Sequence, residues 1–151
     1  LTAFSSIAND GIIMEPHVVF GVKEKNGKLT KIKPKEIGRP ISSATAKVMT
    51  EVLVNAVNKG EAKWARIKGY RVAGKTGTAS IPVEGHYDPN KTIASFMGFA
   101  PANDPKFVML TRIDRPKDVQ FAESSAAPLF GEIARFLMQY FEIKPTRPIK
   151  N

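Results

Sequence analysis

Gly69-Tyr70-Arg71-Val72-Ala73-Gly74-Lys75-Thr76-Gly77-Thr78-Ala79-Ser80-Ile81-Pro82 admits two readings, and the choice between them sets the fold. Its first eight residues satisfy the letter pattern of a phosphate-binding loop, and Val108 to Asp114 could serve as the acidic strand that helps to hold magnesium. Such a loop needs an apolar strand before the first glycine and a helix directly after the Lys-Thr, because the amides of the helix N-terminus hold the phosphates. Before Gly69 stands the charged run Glu61-Ala62-Lys63-Trp64-Ala65-Arg66-Ile67-Lys68. After Thr76 comes Gly77-Thr78-Ala79-Ser80-Ile81-Pro82, a strand closed by a breaker. The stretch therefore reads as a β-strand, and a small P-loop NTPase is set aside.

As a strand it places Thr76 and Thr78 on one face, while Gly77 leaves the backbone open to a close ligand. Two hydroxyls beside the Lys75 ammonium suit a carboxylate. The same letters also describe an ordinary threonine-rich edge strand. Alternation puts Lys75 on the face opposite the threonines, and nothing in the sequence says how it reaches them.

Thr92 to Ala100 and Phe107 to Asp114 are also rich in β-branched and aromatic residues, and short links of Gly, Pro, Asn and Asp make an antiparallel meander of Tyr70–Pro82 and these two. Phe107-Val108-Met109-Leu110 is apolar on both faces, which predicts a strand covered on both sides. Leu129, Ile133, Phe136, Leu137 and Tyr140 recur at helical spacing within Ser125 to Phe141 and supply one cover. Ser42 or Ser43 can cap a second helix with the apolar face Val48, Val52, Leu53, Ala56 and Val57, ending near Gly60. Thr2 to Asn9 is the end of a helix stopped by Asn9-Asp10-Gly11. His17 to Lys33 alternates around Asn26-Gly27, a two-residue hairpin signal. Pro145 and Pro148 end the fold. Without repeat or linker, residues 1–151 form one α+β unit, helices packed on an antiparallel sheet.

Composition narrows the function classes. The chain has 151 residues, 42% of them hydrophobic, enough for a core. No apolar run approaches the roughly 20 residues of a membrane span, and Leu1 to Gly11 lacks the layout of a signal peptide. With no Cys and only His17 and His86, neither a disulfide nor a metal centre is expected, and no cofactor is called for. The net charge of +9 is scattered. Its densest part, Lys23 to Lys35, reads as the solvated edge of the hairpin, so nucleic acid is not expected as a partner. His17 reads as a strand-edge residue and His86 as part of a solvent-facing loop, Glu84 to Asp88. Trp64 reads as a packing anchor, the methionines as core filler, and Asp114 with Arg115 as a surface pair.

The order of several blocks resembles the class B penicillin-binding proteins, the cell-division and elongation transpeptidases, over essentially the whole chain. Ala8-Asn9-Asp10-Gly11 with Pro16-His17-Val18-Val19 is similar to that family's helix exit, and Gly69 to Ala79 resembles its third active-site motif. Ser95-Phe96-Met97-Gly98-Phe99-Ala100-Pro101 resembles the following strand, and Ala126-Ala127-Pro128-Leu129-Phe130 the start of the C-terminal helix. The resemblance implies a penicillin-binding/β-lactamase-like fold and a serine acyl-enzyme that cross-links D-Ala-D-Ala peptide stems and is acylated by β-lactams. It implies that Lys75 supplies positive charge and holds the proton network, that Thr76, Gly77 and Thr78 bind substrate, and that the Thr78 N–H is an oxyanion donor, an interaction worth about 3 kcal/mol in the best-studied case.

The nucleophile is absent from these residues. No Ser has a Lys three positions on, Ser43 to Lys47 is one residue too long and lies in the predicted helix interior, Thr30 to Lys33 falls in the hairpin, and no Ser-x-Asn occurs. The expectation is therefore the C-terminal portion of a transpeptidase domain whose upstream part carries the serine. Its parent would be membrane-anchored and extracytoplasmic, and the chain alone inactive. A serine β-lactamase or D,D-carboxypeptidase fragment shares the Lys-Thr-Gly element, and a non-catalytic binding module is the reading from another class.

Overall fold

The computed structural model describes residues 1–148, apart from the side chains of Pro89 and Asn90. Three strands form the central sheet: β5 (Ala73–Val83), β6 (His86–Ala100) and β7 (Phe107–Asp114), antiparallel in the order β5-β6-β7. The meander and the bounds of the last strand are as expected; the first strand begins at Ala73, since Tyr70 lies in the turn before it. Glu84 and Gly85, at φ 51° and 83°, close a tight two-residue turn. His86 thus opens β6, paired with Val83, and does not sit in a loop.

Register assigns the faces. Gly74, Thr76 and Thr78 lie beside Gly98, Phe96 and Ala94, and these beside Met109, Thr111 and Ile113. This face is closed by α3 (Ala126–Tyr140), with Phe96 and Phe130 in edge contact at 4.6 Å between ring centroids. On the other face Ala73, Phe99 and Val108 pack with Leu53 and Val54 of α2 (Ser43–Lys59) and with Phe4 and Ile7 of α1 (Thr2–Ala8). Farther along the same face Lys75 is exposed and Leu110 keeps 44% of its surface in solvent. The expected double cover of β7 is therefore complete on one side only.

The buried face of α3 differs from the one predicted, whereas α2 buries part of its predicted face, Leu53 and Val57. In α3 the buried residues are Ala126, Ala127, Phe130, Gly131, Ala134 and Met138, whereas the Leu129, Ile133, Phe136 and Tyr140 stripe is exposed, Phe136 to 60%. Close approach decides this: a Cβ on Gly131 would stand 2.7 Å from the Trp64 carbonyl oxygen, and one on Gly98 would stand 3.1 Å from Phe130 Cζ. Small residues let the helix come in. Trp64 itself is 60% exposed on a short 3-10 turn (Lys63–Ala65), so its backbone, and not its indole, makes the contact. In α2 Ala46, Leu53, Val54 and Val57 are buried, but Val48 and Val52 are not. Among the methionines only Met138 is fully buried. Ser42 is the cap, accepting from Thr45 N at 3.0 Å. Ser43, the first helical residue, donates to Asp10 Oδ1 at 2.6 Å and ties α2 to the exit of α1, where Gly11 takes φ 89°.

Two further pairs complete the fold, β1 (Ile13–Met14) with β4 (Glu36–Gly38) and β2 (Gly21–Lys23) with β3 (Leu29–Lys31). The β2–β3 link has three residues, not two: Gly27 N donates to Glu24 O, Glu24 N to Lys28 O, and Gly27 takes φ 88°. A type I turn followed by a left-handed glycine accounts for this geometry. At the other end Thr146 N and Arg147 N both donate to Gly69 O, fastening the tail beyond α3.

Candidate functional site

The site forms where β5 is an edge strand. Strand β5 pairs with β6 alone among the described residues, so alternate backbone N–H and C=O groups along its other edge are open. Gly74 is dictated by packing: a Cβ there would stand 2.4 Å from Phe96 Cζ. Gly77 is exposed, and a Cβ would meet only Ser95 Oγ at 2.9 Å, the end of a side chain that donates to Gly77 O at 3.1 Å.

Lys75 starts from the face opposite the threonines, yet its Nζ donates to Thr76 Oγ1 at 3.0 Å and to Thr76 O at 3.2 Å. The long side chain bends across to Thr76 and brings the ammonium to the hydroxyl that alternation had separated from it. Along the strand, Thr76 and Thr78 line an open recess of about 220 Å³ with Glu61, Phe121, Ala122 and Glu123. The Lys75–Thr78 element is thus a continuous polar surface with donors on it, suited to an acceptor-only anion.

The far wall of the recess is the link between β7 and α3, in which Ala122–Ser124 form a 3-10 turn. Three threonines, one from each strand and all on the closed face, fasten this link. Thr92 Oγ1 donates to Gln120 O at 2.8 Å, Thr111 Oγ1 donates to Ala126 O at 2.8 Å, and Thr78 Oγ1 accepts from Ala122 N at 3.2 Å. Phe121, Ala122, Glu61 and Glu123 carry no motif that would have pointed to them. Ala122 contributes a backbone amide, and which loop would fold over β5 is a tertiary matter.

Other candidates lie elsewhere. His17 is exposed, its Nδ1 3.3 Å from Glu15 O. Asp114 pairs not with Arg115 but with Arg112, Nε to Oδ1 at 2.7 Å and Nη2 to Oδ2 at 2.9 Å. The hydrogen bond from Arg112 holds the Asp114 carboxyl below the usual carboxylate range. Lys75-Thr76 is followed by more strand and not by a helix, which removes the phosphate-loop reading. No group of three or more His, Asp or Glu among the described residues could hold a metal ion.

Comparison with known proteins fits this geometry. The family model described as "Penicillin binding protein transpeptidase domain" matches residues 1–135. The chain is 36% identical over 150 residues to stage V sporulation protein D of Bacillus subtilis, covering 97% of this chain and 23% of that protein. It is 36% identical over 113 residues to a peptidoglycan D,D-transpeptidase FtsI homolog of Chlorokybus atmophyticus, covering 74% of this chain and 17% of that one. The apo form of penicillin-binding protein 3 of Mycobacterium tuberculosis superposes with a TM-score of 0.86 at 30% identity, covering 98% of this chain and 36% of that chain. The same protein has been solved in complex with aztreonam and with ampicillin. A family match over most of the chain, with the fold and relatives in agreement, places this chain in the penicillin-binding protein transpeptidase domain family, among its class B members.

Proposed function

We propose that this chain is the C-terminal portion of a transpeptidase domain and forms the substrate-binding wall of a peptidoglycan D,D-transpeptidase. A serine carried by the upstream part attacks the carbonyl of the penultimate D-Ala of a peptide stem and releases the terminal D-Ala. An amine of a neighbouring stem then takes the acyl group from the serine and restores its hydroxyl. The observation that carries this reading is the reach of Lys75 Nζ to Thr76 Oγ1 beside the exposed Thr78, a cation and hydroxyls gathered on an open strand edge. Thr76 and Thr78 bind the terminal carboxylate across Gly77, the Lys75 ammonium stabilises negative charge and the proton network, and the Thr78 amide is one oxyanion donor. β-Lactams occupy the same wall. The parent works on the outer side of the cytoplasmic membrane through an anchor outside this chain, and among the described residues no helix is long and apolar enough to cross a membrane.

Two measurements test this. The isolated chain forms no covalent adduct with a fluorescent penicillin; a stoichiometric, hydroxylamine-sensitive adduct by intact mass would overturn the portion reading. In the complete domain, Lys75→Ala slows penicillin acylation by roughly a hundredfold or more. Thr78→Val slows it less, because the backbone N–H remains. Parental acylation rates in both folded variants would sink the assignment.

A further inference from the structure

We infer that the Ala122 amide is a positioning group for substrate: by donating to Thr78 Oγ1 it commits that hydroxyl to act as a donor toward the carboxylate of a peptide stem or penicillin. This rests on the proposed function and adds to it the group that orients the carboxylate ligand.

The three strand threonines supply the contrast. Thr92 and Thr111 are buried and spend their protons on carbonyls, Thr92 on Gln120 O of the link and Thr111 on Ala126 O of α3 at 2.8 Å, with Phe96 O farther at 3.3 Å. Thr78 is exposed on the recess, and its hydroxyl takes a proton from the link. A hydroxyl has one proton and two lone pairs, whereas an ionised carboxylate only accepts. A freely turning Thr78 would present lone pairs to the carboxylate for part of the time. With one lone pair held by Ala122 N–H, the proton is turned away from that amide and left for an acceptor at the exposed strand edge. Accepting one hydrogen bond also strengthens the one donated.

The amide itself is fixed. Ala122 is fully buried, the adjacent Phe121 O accepts from Ser125 Oγ at 2.9 Å, and Gln120 O and Ala126 O are held by Thr92 and Thr111. Thr92 and Thr111 therefore act on the site at one remove, by setting where the amide of Ala122 stands.

The test uses the complete transpeptidase domain carrying this segment, with benzylpenicillin and its carboxyl methyl ester as probes. Ala122→Pro deletes the donor, and Phe121, extended at ψ 144°, accommodates a following proline. Acylation by benzylpenicillin should fall about five- to tenfold, the size of one hydrogen bond, with the ester nearly unaffected. In a Thr78→Val background the same change should add nothing. Equal losses on both probes, or a loss that adds to that of Thr78→Val, overturn the inference. A parental domain that takes no penicillin refutes the proposed function and the inference with it; normal parental acylation with either of those patterns refutes the inference alone. Should Ala122→Pro not fold, amide hydrogen exchange decides: Thr78→Val should speed exchange at Ala122 at least about tenfold and Thr78→Ser restore it. Unchanged exchange in Thr78→Val overturns the inference.

Discussion

The two faces of the β5-β6-β7 sheet use the same backbone ladder for different ends. On the closed face Phe96 is fully buried against Phe130. On the open face, beyond the patch where α1 and α2 pack, Lys75, Gly77, Leu110 and Arg112 are exposed and Ser95 is half-buried. The larger core therefore lies on the closed face and a second one under α1 and α2, while the rest of the open face and the β5 edge are free to carry chemistry. One strand serves both purposes: in β5, Gly74 is a packing residue and Gly77, three positions on, is a surface residue.

The largest break in this contrast comes from emptying the closed face. Phe96→Ala should destabilise by about 3–5 kcal/mol, whereas Leu110→Ala on the open face should cost under about 1 kcal/mol; equal shifts in urea midpoint would erase the distinction. Next come the glycines. Gly74→Ala drives a methyl into the Phe96 ring and should cost about 1–3 kcal/mol. Gly77→Ala displaces only Ser95 Oγ and should stay below about 1 kcal/mol. A smaller effect tests the threonine ties: Thr111→Val leaves the Ala126 carbonyl without its side-chain donor and should cost about 1–2 kcal/mol by chemical denaturation, more than Ser95→Ala.

The smallest effect belongs to Arg112 and Asp114 at the solvent-facing end of the open face. The carboxyl of Asp114 is depressed in the folded state, so its contribution is present above the unfolded carboxylate pKa and is lost as pH falls through the lower folded one. Melting curves of parent and Arg112→Ala should differ slightly at neutral pH and converge in acid. A gap that widens in acid contradicts the sign, and one that persists in molar salt contradicts the exposure of the pair.

Much of this arrangement was legible in the residues. The turn chemistry around the three strands and the cap at Ser42 gave the meander and α2, because each signal is local. The face of α3 was not legible, and that of α2 only in part: Leu53 and Val57 are buried as expected, while Val48 and Val52 are not. Both helices are apolar on more than one side, and periodicity cannot tell a Leu-Ile-Phe stripe in solvent from an Ala-Gly face pressed onto a sheet. The three-residue turn at Lys25 to Gly27 escaped for a similar reason, since Asn-Gly suits more than one loop length. At the site, Lys75 to Thr78 stood out as a motif, but the bend of Lys75 toward Thr76 and the partnership of Thr78 with Ala122 depend on tertiary placement, to which spacing is blind.

The β2–β3 arm has a practical consequence. Its turn lies in open space: a Cβ on Gly27 would meet nothing within 4 Å. Each doubling of a loop's length costs only about 0.6 kcal/mol in closure entropy, so the turn between Glu24 and Lys28 is a natural port for an epitope, a fluorophore-bearing peptide or a purification handle. A label placed there would report on the molecule without touching either face of the sheet.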